Sequence, residues 1–232
     1  MASMKLIKPN ELYAGLPQGW WLKNYWEYVY PLILRRATKT ELPAPDENQA
    51  GPVMYAVGKY ASAFDESQPV AGLDRETKNE RYRMTQTQTI HKGFVLPFVK
   101  FIALESDGDG SSFAELRNVA QSLALDSNVE ITFEVTAGGK KEGEQHIDAK
   151  NAMEYYCESY PIDLPSPLYG QPGYTGSQTN RAISSSFMAI FEPQEEGKYA
   201  IDVRASYIFR DREKSKNYGP LHDRYEIEVA RP

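Results

Sequence analysis

The chain has 232 residues, 41% of them hydrophobic and 25% charged, with a net charge of −6 and a single cysteine. That length and balance suit one large β domain or two small ones around a real core, and they exclude wholesale disorder. Basic residues are interleaved with acids, as in Asp74–Arg81 and Arg210–Lys214, so no clustered positive face for nucleic acid is expected. One thiol, Cys157, excludes an internal disulfide and leaves stability to burial.

Met1–Ser3, followed by Met4, reads as a cloning scar, and Met1–Asn10 lacks the apolar segment of a signal peptide. Cytoplasmic synthesis is the expectation, with a virion as a candidate destination, unless a leader was removed. Residues 4–19 hold two prolines and two glycines and read as an irregular part of an N-terminal arm, 4–30. Trp21, Tyr25, Tyr28 and Leu32 fall at helical spacing, but Pro31 should stop a helix near Tyr30. A strand is expected over Leu32–Ala37. The apolar stretch Trp20–Leu34 is broken by Lys23, Asn24, Glu27 and Pro31, too short and too polar to span a bilayer.

Thr38–Pro52 reads as a loop, Val53–Tyr60 as a strand and Phe64–Asn79 as a polar, mobile stretch. Tyr82–Ile90 is rich in β-formers, with Thr85, Thr87 and Thr89 on one face, and predicts a strand exposed on at least one side. Phe94–Leu104 is a near-continuous apolar run, expected to be a buried central strand with a bulge or an edge at Pro97. Ser112 and Glu115 form a capping box for an amphipathic helix over 113–124, carried by Phe113, Leu116, Ala120 and Leu123. Asp126–Asn128 stops it and marks a sub-boundary near 126.

Val129–Val135 alternates apolar with polar and predicts a half-buried strand. Gly138–Lys141 reads as a turn, and Asp148 as the cap of a short helix ending near Cys157. Tyr160–Arg181, with four prolines and three glycines, reads as a long loop. Strands are then expected over Ile183–Phe191, Lys198–Phe209 and Tyr225–Val229. Together these elements predict a mainly β chain, an antiparallel β-sandwich of immunoglobulin-like or jelly-roll-like type over 31–232, with long loops.

Glu195–Ile201 resembles the acid-x-Gly-x-Tyr-x-Cys run that enters strand F of immunoglobulin-like domains. The resemblance implies that the Tyr199 hydroxyl ties back to the backbone at a sandwich corner, with the strand ending at Phe191 as E and the one from Tyr225 as G. Ile201 stands where antibody domains have cysteine, and no tryptophan follows Trp26.

Candidate chemistry is sparse. Sixteen tyrosines stand against nine phenylalanines, and Trp20, Trp21, Tyr169 and Tyr174 are candidates for stacking on a sugar or a partner. His91, His146 and His222 would make a metal site only by converging, with Asp148 beside His146 and Asp223 beside His222. Asp107 and Asp109, with Glu105, resemble the start of a calcium loop, but an EF-hand would need glycine at Ser112 and glutamate at Asn118; an ordinary turn is preferred and no resident cofactor is expected, with a looser calcium site through these three carboxylates as the alternative. No nucleophile elbow, Walker loop or dinucleotide fingerprint is present, and Cys157 reads as structural. Three functions follow in order: a non-catalytic structural or assembly subunit that associates with itself or a protein partner through arm and loops, of virion or phage-shell kind; a carbohydrate- or ligand-binding module; and a metal- or carboxylate-dependent enzyme.

Overall fold

The computed structural model describes residues 3–37, 52–56, 73–74, 81–89, 91–166, 177–211 and 214–230. In chain order these form β1 (Met4–Ile7), α1 (Gln18–Ala37), β2 (Val53–Tyr55), β3 (Leu73–Asp74), β4 (Arg81–Thr89), β5 (Gly93–Leu104), α2 (Phe113–Leu125), β6 (Asn128–Ala137), β7 (Lys140–Ile147), β8 (Tyr156–Glu158), β9 (Ile162–Pro165), β10 (Thr179–Pro193), β11 (Gly197–Asp211) and β12 (Lys214–Ala230). One sheet runs β1-β10-β5-β2, with β8 and β9 also paired to β10; the other runs β3-β4-β12-β11-β6-β7. Pairing is antiparallel except for β2 with β5 and β4 with β12. The fold is therefore a mainly β sandwich, as the alternating segments require.

Period-two burial builds the core. Val129, Ile131 and Phe133 of β6, Tyr199, Ile201 and Val203 of β11, and Tyr225, Ile227 and Val229 of β12 all turn inward. They meet Phe94, Leu96, Phe98 and Phe101 of β5 and Phe187, Ala189 and Phe191 of β10. At the centre Phe98 stacks on Phe133 with centroids 5.0 Å apart, and Phe191 stands edge-on to both. The reverse face of the first sheet is also covered: Val95, Met188 and Ile190 pack against Trp21, Leu22, Tyr25, Trp26 and Val29 of α1. Burial on two faces explains why β5 is apolar nearly throughout rather than alternating. On the sandwich side, α2 adds Leu116 and Ala120 to Ala103 and Ile183.

Local chemistry agrees with the sequence at several points. Val99 lies opposite Phe187 and Pro97 opposite Met188, so Phe98 is the extra residue of a bulge beside the proline. The Ser112–Glu115 capping box is formed. Gly138 and Gly139 adopt φ of 56° and 80° in the β6–β7 turn, the left-handed pair that a two-residue hairpin demands. Where the chain leaves β10 for β11, and so changes sheets, the Tyr199 hydroxyl donates to the Glu195 carbonyl at 2.8 Å.

Other expectations are corrected. Met4–Ile7 is an edge strand paired with Ile190–Pro193 rather than an irregular segment. The helix does not stop at Tyr30, and no strand forms over 32–37; α1 continues through Pro31 to Ala37. A proline removes one intrahelical bond and crowds one carbonyl, whereas the helix is held by a whole stripe buried on the sheet. The helix expected after Asp148 is a single 3₁₀ turn, Ala152–Glu154, followed by β8. Within the expected loop, Ile162 and Leu164 are buried in β9, and β10 has begun by Thr179. The last strand begins at Lys214 rather than Tyr225. Tyr169, Tyr174 and the stretches 38–51, 57–72 and 75–80 lie outside the described residues.

Candidate functional site

The first turns of the chain build one end of the molecule. After β1, Glu11 Oε1 accepts from the Lys8 backbone N–H at 3.0 Å. Tyr13 and Leu16 then exchange two backbone hydrogen bonds of 2.9 and 3.0 Å around Ala14 and Gly15, which have φ of 48° and 76°. Gln18 opens α1 fully buried, and its Nε2 donates to the carbonyls of Ile7 and Lys8, fastening the helix start to the end of β1. Gly19 lets the helix approach β8: a Cβ there would stand 2.4 Å from the Glu158 carbonyl oxygen. The Tyr160 N–H donates to the Gly19 carbonyl at 3.2 Å.

This close approach brings Trp20 and Tyr160 together, edge to face, with centroids 6.2 Å apart. The Lys23 amine lies 5.4 Å from the Trp20 ring centre and pairs with Glu27. Leu12, Leu16, Trp20 and Tyr160 are 66%, 38%, 38% and 47% exposed, and they are four of the six large hydrophobic side chains exposed among the described residues. Single exposed apolar residues are normal on a surface; Trp20 and Tyr160, held in contact with each other, make a candidate contact surface.

The sequence candidates distribute as follows. Trp20 belongs to this cluster. Trp21 is 5% exposed, its Nε1–H donates to the Tyr13 carbonyl at 3.1 Å, and its ring packs edge-on against Tyr13; it is a core side chain with no face for a ligand. The sequence offered no signal for Leu12 or Leu16, and nothing local joins Tyr160, one of the tyrosines of the Tyr160–Arg181 segment, to Trp20, because that contact is made by tertiary packing alone.

The histidines do not converge. His91 sits on an exposed turn at φ of 62°, with Nδ1 3.2 Å from Glu192 Oε1. His146, Thr132, Arg204 and His222 stand in one row across β7, β6, β11 and β12. Three strand spacings hold the two histidines about 14 Å apart. His146 Nδ1 lies 3.2 Å from the Thr132 hydroxyl, and His222 Nε2 lies 3.5 Å from Asp202 Oδ1. Asp148 instead accepts the Lys150 backbone N–H at 2.8 Å, closing a local turn.

The Asp107–Asp109 loop is satisfied internally. Asp109 accepts from the Leu104 N–H at 2.9 Å, and Asp107 from the Ser106 hydroxyl at 3.1 Å. Glu105 is held by both Nε and Nη2 of Arg181, which keeps its carboxyl below the usual carboxylate range. Among the described residues no group of three or more His, Cys, Asp and Glu side chains is placed to hold a metal ion. Burial pushes the Cys157 thiol up to about 12, which leaves little thiolate to act as a nucleophile. Among the described residues no helix is long and apolar enough to cross a membrane.

No family model and no curated protein sequence matches the chain. Among solved structures it is similar to the inclusion body protein PixA of Burkholderia cenocepacia, at 12% identity over 70% of this chain and 73% of that one, with a TM-score of 0.21. It is also similar to a family 123 glycoside hydrolase of Clostridium perfringens, at 11% identity over 65% of this chain and 23% of that one, with a TM-score of 0.16. Likenesses this weak carry no functional weight.

Proposed function

We propose that this chain is a non-catalytic structural subunit, an immunoglobulin-like β-sandwich that associates with copies of itself through the hydrophobic end formed by Leu12, Leu16, Trp20 and Tyr160. The observation that carries the reading is that two exposed aromatic side chains, Trp20 and Tyr160, meet edge to face on a braced backbone, fixed by Gln18 and by the Gly19 approach, with the exposed Leu12 and Leu16 in the segment just before α1. A surface that is ordered before contact loses less entropy on association. Strand order supports the immunoglobulin-like part: β5 beside β10 corresponds to B beside E, and β6-β11-β12 to C-F-G, with Tyr199 at the corner entering F. A virion or other shell is the kind of assembly such a subunit would build.

The test is solution mass by light scattering across low to high micromolar concentration. Wild type is expected to form multimers, and the double substitution Trp20→Ser with Tyr160→Ser to give monomers with unchanged far-ultraviolet circular dichroism. Deleting residues 4–30 would be a poor test, because it removes β1 and most of α1. A wild-type chain that stays monomeric throughout overturns the reading.

The exposed Trp20 ring, with the Lys23 amine beside it, favours a second reading as a carbohydrate-binding module. In that case soluble polysaccharide would shift the tryptophan fluorescence of a monomeric protein, and Trp20→Ser would abolish the response.

A further inference from the structure

The outer face of the second sheet carries a concavity of about 270 Å³, away from the hydrophobic end. Its origin is a change of side-chain size. Thr136, Ala200 and Glu226 stand in one row across β6, β11 and β12, and Lys198 and Glu228 in the next. Ala200 is the floor, only 6% exposed although it lies on the polar face. Gly139, in the adjoining turn, has open space where a Cβ would be. Two small residues inside a ring of long ones leave a cup.

The charges around the cup are not equivalent. Arg224 and Glu226 are bonded to each other at 3.0 Å, and Arg224 also holds Asp202 at 2.5 Å. Lys198 and Glu228 are also directly opposed across the strand pair, with Cβ atoms about 5 Å apart by sheet geometry. Yet both are exposed, and neither makes an ion pair or side-chain hydrogen bond among the described residues. The cup thus offers one uncommitted positive and one uncommitted negative group, with the Thr136 hydroxyl beside them.

We propose that this cup binds a small zwitterion of the free α-amino acid class, its carboxylate on Lys198 and its ammonium on Glu228. A simple anion would gain Lys198 but face Glu228, and a simple cation would meet the converse. A peptide terminus brings one charge where two are wanted. The volume lies just under the range typical of drug-sized ligands, so a molecule of few heavy atoms fits. Both contacts are open to solvent, so the binding is weak.

Saturation-transfer difference spectroscopy reads weak binding from the ligand side and works on a monomer or an assembly. L-Valine is the probe, with isovalerate and isobutylamine as its singly charged analogues. Valine is expected to give a saturable signal and the two analogues at least a tenfold weaker one. Lys198→Glu should lose the valine signal at least tenfold. The exchange Lys198→Glu with Glu228→Lys should restore it, because the ligand can reverse. No saturable valine signal, equal binding of either analogue, or no loss in Lys198→Glu overturns the proposal; none of these outcomes bears on self-association.

Discussion

Gly19→Ala separates helix propensity from tertiary packing, because the two predict opposite signs. In an exposed helix the change stabilises by about 1 kcal/mol. Here the added Cβ would lie 2.4 Å from the Glu158 carbonyl oxygen, a backbone atom of β8 that cannot swing away as a side chain would. Overpacking of this kind costs about 1–3 kcal/mol. Backing α1 away would also weaken the Tyr160 N–H to Gly19 carbonyl bond, a further ~0.5–1.5 kcal/mol. Subtracting the propensity gain leaves a net loss of about 0.5–3.5 kcal/mol, or roughly 2–4 °C of midpoint per kcal/mol in a chain of this size. Gly143→Ala is the control: no atom lies within 4 Å of its Cβ position, so the change should be neutral or slightly stabilising. Urea titrations followed by tryptophan fluorescence would measure both. A Gly19→Ala protein as stable as wild type would mean that the α1–β8 contact is looser than described, and the braced surface would lose its basis.

Three other expectations concern the rest of the fold. Phe133→Ala empties the place between Phe98, Tyr155 and Phe191 and should cost about 3–5 kcal/mol in chemical denaturation. Ser112→Ala removes the acceptor for the Glu115 N–H and should cost about 1 kcal/mol, with no change in solution mass. Burial pushes the Lys100 ammonium down to about 8, with its amine 3.4 Å from the Tyr25 hydroxyl. The unfolded chain holds that proton up to about 10.4. Between these values the unfolded state binds more protons at Lys100, so this group adds stability as pH rises from about 8 to about 10; the Cys157 thiol, pushed up to about 12, opposes it above the ordinary thiol value of about 8.5, so the net stability should stay nearly level there. Tyr13 and Tyr156, pushed up to about 12 by burial, lose stability only above the ordinary tyrosine value. Lys100→Met should turn this level stretch into a fall of the urea midpoint as pH rises above about 8.5; a midpoint that stays level in this variant would assign the compensation to another group.

The sequence disclosed most where the signal is local. Val129–Val135 and the Ser112–Glu115 box carry their structure in neighbouring residues, and both formed as read. β7 left no such trace, since Lys140–His146 are all exposed and nothing alternates between wet and dry. β8 and β9 are three and four residues long and exist because the edge of β10 is there to pair with. Pro31 was misleading because a breaker is a local penalty, and the sheet-facing stripe of α1 outweighs it. At the candidate surface, Trp20 and Trp21 looked interchangeable; one step of about 100° around the helix sends one to solvent and the other into the core. His146 and His222 share a row, but register placed two strands between them.

The edges of the sheets bear on how copies could meet. Unpaired strand edges are the usual route to association, and β7 is such an edge. It is charged along its length, its Lys141 is engaged by both Glu134 and Glu144, and its register breaks between Val135 and Thr136. These features obstruct strand addition. The edge of β10 is closed in succession by β9 at 179–182, β8 at 185–187 and β1 at 190–193. With β7 obstructed and this side of the first sheet divided among edge strands of only three or four residues, which blunt strand addition, side-chain packing at the α1 end is the favoured mode. Association should therefore respond strongly to Trp20→Ser and hardly at all to Lys141→Ala, which unburdens the β7 edge of a charge. The reverse pattern, multimers indifferent to Trp20 but altered at Lys141, would move the contact to the sheet edge and leave the hydrophobic end to another partner.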